Sequence, residues 1–250
     1  MSAAAARVLL IAPPVGCVTL ALIAILHDGA FRALVREDSI IEWAEVLAYA
    51  CAFVFSVRIA RERSGLVAAA YALLAVAAVL GIGEELSWGQ RLFGLGTPEP
   101  LAAASRQGEL NVHNMVDAES PTRLALLVAS TYALAAPFVF RPGPFVPPRV
   151  LASAFGVVTA YFTVRFVFMP EPTYVQAKFS EWPELCFAVA VALTARSVLT
   201  ARRDRAAASC GGEAPLPQSG VDRTRARVQP RRHRQRRAHD VDGGTGRVRR

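Results

Sequence analysis

Residues 83–94, GEELSWGQRLFG, place Glu84, Glu85, Ser87, Trp88, Gln90 and Arg91 directly after LVAAAYALLAVAAVLGI, a run without a charged group. Two adjacent carboxylates beside a guanidinium are the residue types of general acid–base chemistry: one acid can hold a proton while the arginine keeps the other ionised. Two further segments carry the same chemistry. EDSIIEWAEVLAYA (37–50) and FSEWPELCFAVA (179–190) both contain E-W-x-E, so Glu42 with Glu45, and Glu181 with Glu184, stand at i and i+3 on one helix face. Acids in a first turn also suit the unpaired N–H groups and the positive dipole end of a helix, and tryptophans there serve as interfacial anchors. That ordinary reading does not extend to Glu84 and Glu85. They close an apolar segment, the end at which the dipole disfavours carboxylates.

If the helix continues through the motif, Glu84, Ser87, Trp88 and Arg91 fall at i, i+3, i+4 and i+7 and form one polar stripe. Charge facing hydrocarbon is costly, so the stripe is expected to point into a bundle. A long loop over 94–121 contains a short helix opened by Thr97 and Pro98, followed by QGELNVHN (107–114) with Asn111, His113 and Asn114. Arg165, inside TAYFTVRFVFM, needs a counter-ion, and the acids of the neighbouring helices are the available ones. The candidate catalytic residues are therefore Glu84, Glu85, Arg91 and His113. Glu42, Glu45, Trp88, Gln90, Asn111, Asn114, Arg165, Glu181 and Glu184 are candidate substrate-binding residues.

Other chemistries have weaker signals. The chain has four histidines, two of them in its last 50 residues, and no HExxH or comparable ligand spacing, so no metal and no cofactor is assigned from the sequence. Ser87 with His113 and an acid would make a nucleophilic triad, but no G-x-S-x-G surrounds the serine, and packing is its ordinary role. Three of the four cysteines lie in apolar runs without CxxC spacing, which indicates buried thiols rather than a disulfide framework.

The elements that position these groups follow from composition. A chain that is 53% hydrophobic and 19% charged, with mean hydropathy +0.33, falls in the integral membrane class. A spanning helix needs about 20 apolar residues, and six runs qualify, near 8–26, 40–60, 65–83, 122–140, 149–169 and 182–200. The expected fold is an all-α transmembrane bundle over 1–202, followed by a disordered Arg-rich tail over 203–250. Residues 201–250 carry 14 arginines against five acids, a net of +9, which leaves the first 200 residues at −1 within the total of +8. The basic balance thus belongs to the tail, expected first as a solvated extension that enforces orientation, with contact to anionic lipid as its functional reading and no specific nucleic-acid recognition. Arg7, Arg58, Arg61, Arg63, Arg141, Arg149 and the tail collect on one side, so both termini are expected to be cytoplasmic and the acidic motifs to face outward.

The pattern E-E-x-S-W-G-Q-R at 84–91, then Q-x-E-x-N-x-H-N at 107–114, with E-D-x-x-x-E-W at 37–43, resembles a group of uncharacterised bacterial multi-pass membrane proteins. The resemblance covers roughly residues 37–200. It implies a bacterial inner-membrane location and carries no activity with it. The expectation from the residues is a convergent outer site that binds or processes a lipid-linked envelope substrate by acid–base chemistry. A small proton-coupled transporter using the same carboxylates, or a non-catalytic membrane partner subunit, are the alternatives.

Overall fold

The computed structural model describes residues 2–36, 38–104, 119–169 and 171–210. These form helices α1 (Ala3–Leu26), α2 (Asp28–Val35), α3 (Ile40–Glu62), α4 (Gly65–Glu85), α5 (Gln90–Phe93), α6 (Glu99–Ala104), α7 (Glu119–Val139), α8 (Ala152–Phe168), α9 (Tyr174–Lys178) and α10 (Glu181–Cys210). No strand is present among the described residues. Six helices are long and apolar enough to cross a membrane, and each covers an expected run. The last helix departs most. Its backbone runs to Cys210 rather than ending near residue 200, because TARRDRAAASC, though polar, is built of good helix formers. The rest of the Arg-rich tail lies outside the described residues.

The bundle is polar and small inside and aliphatic outside, as a lipid-solvated fold requires. Large side chains such as Val8, Ile25, Leu47, Leu66 and Leu73 are exposed, while Ala48, Ala52, Ala75, Ala78, Ala188, Ala192 and Ala195 are buried. Lipid tails solvate leucine as well as a neighbouring helix does, so association relies on close backbone approach, which alanine permits. Ala52, Ala78 and Ala192 meet where α3, α4 and α10 cross. Ala192→Leu should therefore overpack this seam and cost about 1–3 kcal/mol. Thermal unfolding in detergent measures it, with the exposed Leu73→Ala as a control of small effect.

Proline sets the join between α1 and α8. Pro13 has no N–H, so the Leu9 carbonyl loses its intrahelical partner. The Ser153 hydroxyl donates to that carbonyl at 3.1 Å, the kind of replacement a membrane interior demands. A second graft occurs one turn further along. The Trp182 indole N–H donates to the Pro13 carbonyl at 2.9 Å, and its ring fills the space beside Gly16.

These contacts also reveal a stagger. Trp182 stands at the start of α10 yet is level with the middle of α1. The Tyr161 hydroxyl, with half a dozen residues of α8 still to come, donates to the Gln176 carbonyl of α9 at 2.8 Å. At about 1.5 Å of rise per residue, α1 and α8 run on past the start of α10 by roughly 10–15 Å. Short helices bring the chain back down. Phe31 and Val35 of α2 are fully buried in a cluster with Leu20 and Ile41, against which Val175, Phe179 and Leu185 pack. The guanidinium of Arg32 in α2 stacks 4.6 Å from the Tyr174 ring of α9. The starts of α3 and α10 therefore lie recessed in height, below the level of the ends of α1 and α8.

Tyrosines hold the opposite end. Tyr71 and Tyr132 donate to the Pro144 and Phe145 carbonyls at 2.7 and 3.0 Å, and Arg149 donates to the Pro137 carbonyl at 3.0 Å. Arg58, Arg61, Arg63, Arg141 and Arg149 gather at this arginine-rich end.

Candidate functional site

Among the described residues, the buried polar side chains are Ser39, Glu42, Glu45, Ser56, Ser87, Gln90, Ser130, Arg165 and Glu181. All except Ser56 and Ser130 lie at the acidic end. Burial of so many polar groups in a membrane bundle is costly unless they serve one another or a ligand.

The start of α3 shows how the chain divides these roles. The Ser39 hydroxyl caps the helix by accepting from the Glu42 N–H at 3.3 Å, and the Glu42 carboxylate accepts from the Asp38 N–H at 2.6 Å. This is a capping arrangement of N-cap serine and N3 acid. Glu42 is thus occupied with the backbone. Glu45, one turn further, is fully buried, and neither of its carboxylate oxygens accepts a hydrogen bond from the backbone or from a side chain outside the acid cluster. One oxygen each from Glu45, Glu85 and Glu184 lie within 4.8 Å of one another. Three helices, α3, α4 and α10, each supply one member.

Glu181 divides from Glu184 in the same way. Glu181 pairs with Lys178 at 3.0 Å, bridging α9 and α10. Glu184 turns inward to the cluster. In each E-W-x-E segment the first acid is engaged locally, and the second reaches the shared centre.

The end of α4 departs from the expected continuous helix. Helical geometry stops at Glu85, and Ser87, Trp88 and Gly89 have φ of 45°, 53° and 83°. A left-handed conformation costs roughly 1–2 kcal/mol per non-glycine residue, so two such residues are retained against a local preference. The i, i+3, i+4, i+7 stripe is therefore broken. The Trp88 indole N–H still donates to Glu84 at 2.9 Å, and Trp88 itself is exposed. Beyond the turn, buried Gln90 donates to the Thr97 hydroxyl at 3.0 Å, and the Leu95 N–H donates to the Gln90 carbonyl. These bonds fold the chain back before α6, the short helix expected after Thr97 and Pro98.

Gly83 makes the turn possible, since a Cβ there would lie 3.0 Å from three atoms of the Trp88 ring. Gly83→Val should push the ring away, break the bond to Glu84 and cost about 1–3 kcal/mol. Quenching of tryptophan fluorescence by an aqueous quencher should rise alongside the loss of thermal stability.

Arg165 corrects a second expectation. It is buried, but the Nη1 group donates to the Met169 carbonyl at the end of its own helix, while Nε and Nη2 have no partner. No ion pair with the acids is found among the described residues. The reason is the stagger, which leaves Arg165 on the part of α8 that passes beyond the start of α10, one turn above Tyr161.

Asn111, His113 and Asn114, with the rest of QGELNVHN, lie outside the described residues, as does the side chain of Arg91. Compared with known protein families, with curated proteins and with solved structures, the chain matches none.

Three residues were not anticipated as members of the site. Tyr49 packs its ring on Gly81 and lies within electrostatic range of Glu45, Glu85 and Glu184. Its i+4 spacing from Glu45 places it on the same helix face. Tyr161 likewise precedes Arg165 by one turn and lies in range of both Glu184 and Arg165. Lys178 stands three residues before Glu181. The two tyrosines were accessible from helical spacing once Glu45 and Arg165 had been chosen, whereas Lys178 reaches Glu181 across the break between α9 and α10.

Proposed function

We propose that this chain is a bacterial inner-membrane protein, with both termini cytoplasmic, whose recessed carboxylate site binds and processes a lipid-linked envelope substrate by acid–base chemistry. The observation that carries the reading is Glu45, a fully buried carboxylate without a hydrogen-bond donor, facing Glu85 and Glu184 across less than 4.8 Å. Carboxylates at this distance share protons, which suits one to donate and another to accept. Arg165 supports an anionic substrate, because two of its buried N–H groups have no partner among the described residues. The orientation rests on the arginines at one end of the bundle. A lipid-linked substrate fits a bundle whose outer faces are aliphatic.

A proton-coupled transporter is the second reading, favoured by the interruption of α4 at Ser87–Gly89 beside the same acids. Profiling envelope lipids and solute uptake in cells that carry Glu85→Gln or Glu184→Gln separates the two. Accumulation of a lipid-linked precursor with normal uptake is expected. Lost uptake with unchanged lipids would favour transport, and a change in neither would leave only the partner-subunit role.

A further inference from the structure

We infer that Glu45, Glu85 and Glu184 hold a hard divalent cation, so that the recess works as a metal centre as well as an acid–base site. The proposal rests on the reading above for the use made of the cation, but not for its binding. An acidic cluster alone would not justify it. The deciding feature is that Glu45 is wholly buried, has no donor to either oxygen from outside the cluster, and directs its carboxylate at the other two. A buried anion without donors is expensive unless it is paired or coordinates a metal.

The distances agree with an ion of this class. Oxygens on opposite sides of calcium stand about 4.6–5.2 Å apart, twice a bond of about 2.3–2.6 Å. Those around magnesium stand about 4.2 Å apart, twice a bond of about 2.1 Å. The three oxygens, all within 4.8 Å of one another, lie inside the outer limit set by calcium, and small side-chain movements that bring adjacent pairs to about 3–4 Å would place all three on one ion. All three ligands are carboxylate oxygens, with no imidazole or thiolate among them, a donor set that selects magnesium, calcium or manganese over zinc or copper. The remaining coordination positions are open to water or to phosphate oxygens of the substrate.

The arrangement of helices adds a consequence. Glu45, Glu85 and Glu184 come from α3, α4 and α10, so one ion would tie three helices together at the recess. Glu85 closes α4 immediately before the left-handed turn, and its ligation would give that strained turn a fixed position to hold.

The test uses the full chain purified in detergent, stripped with chelator and titrated with Mn²⁺ alone, with free Mn²⁺ read by electron paramagnetic resonance. One equivalent is expected to bind, with excess Ca²⁺ displacing it. Glu45→Gln and Glu184→Gln should each weaken binding by at least about tenfold. Glu62→Gln, at the arginine-rich end and paired there with Arg58, should leave it unchanged. Saturating cation should raise the melting temperature of the wild type by about 5 °C or more, but not that of Glu45→Gln. Melting in chelator shows that each variant is folded. No binding by the wild type, or equal binding by wild type and a folded Glu45→Gln protein, would overturn the proposal. The two readings fail separately. Cation binding with unchanged lipid profiles removes the enzymatic reading alone, and altered lipid profiles without cation binding remove the metal alone.

Discussion

Glu45→Gln is expected to abolish processing of the substrate while leaving the cation-free protein at least as stable as the wild type. The first half follows from position, since a general acid or base contributes about 10²–10⁴-fold to a rate, and Glu45 is the acid wholly enclosed among the three. The second half follows from the missing donors. A buried carboxylate without hydrogen bonds works against folding, whereas a glutamine of nearly the same shape removes the charge and offers N–H groups to Glu85 and Glu184. A gain of about 1–3 kcal/mol is expected in chelator, read as a higher melting temperature in detergent. The two measurements together decide the role. A residue kept for structure loses stability when replaced, and one kept for chemistry loses activity while stability stays level or improves. Loss of stability with activity retained would assign Glu45 to the fold.

The second large effect lies at the join between α1 and α10. The Trp182 ring occupies the space that a Cβ at Gly16 would need, and its indole N–H is committed to the Pro13 carbonyl. Gly16→Leu must expel the ring, forfeiting that hydrogen bond and the packing of Trp182 against both the α8 core and the α2 cluster. Overpacking costs about 1–3 kcal/mol, and an unmade buried hydrogen bond adds about 1–3 kcal/mol more. Such a sum is a large part of the stability of any domain, so the variant should fail to accumulate as folded protein. Trp182→Phe keeps an aromatic ring but loses the donor and part of the indole volume beside Gly16, and should cost about 1–3 kcal/mol. Melting curves of the two variants distinguish steric exclusion from hydrogen bonding. Equal stability of Gly16→Leu and wild type would contradict the seating of Trp182 on α1.

The six spans were legible because hydrocarbon imposes a length and an apolar composition that few other structures share. The pairing of acids was legible in part. Spacing placed Glu42 with Glu45 and Glu181 with Glu184 on common faces, but it could not tell that the first of each pair is engaged locally while the second turns inward. That division depends on Ser39 and Lys178, whose roles emerge only when caps and ion pairs are formed in three dimensions.

Two features were hidden for different reasons. The left-handed turn at Ser87–Gly89 runs against local preference, since only Gly89 of its three residues favours positive φ, so a pattern-based reading continues the helix through it. The stagger that recesses the site was hidden because run lengths do not fix relative height. It is set by contacts far apart in sequence, Trp182 with Pro13 and Ser153 with Leu9. The same stagger removed the counter-ion expected for Arg165, which sits on a part of α8 that no acid of α10 accompanies.

The convergence of α3 and α10 on one buried acidic centre is tested most directly by cross-linking. Glu45→Cys and Glu184→Cys would be combined in a chain whose four native cysteines are replaced, then treated in membranes with a short bifunctional thiol reagent. Cleavage in the segment between the helices shows whether the two fragments stay joined. A rapid, nearly complete intramolecular cross-link is expected, matched by Glu45→Cys with Glu85→Cys cut between α3 and α4, and absent for Glu62→Cys with Glu184→Cys. Free fragments from a Glu45→Cys, Glu184→Cys protein that melts like its cysteine-free parent would contradict it.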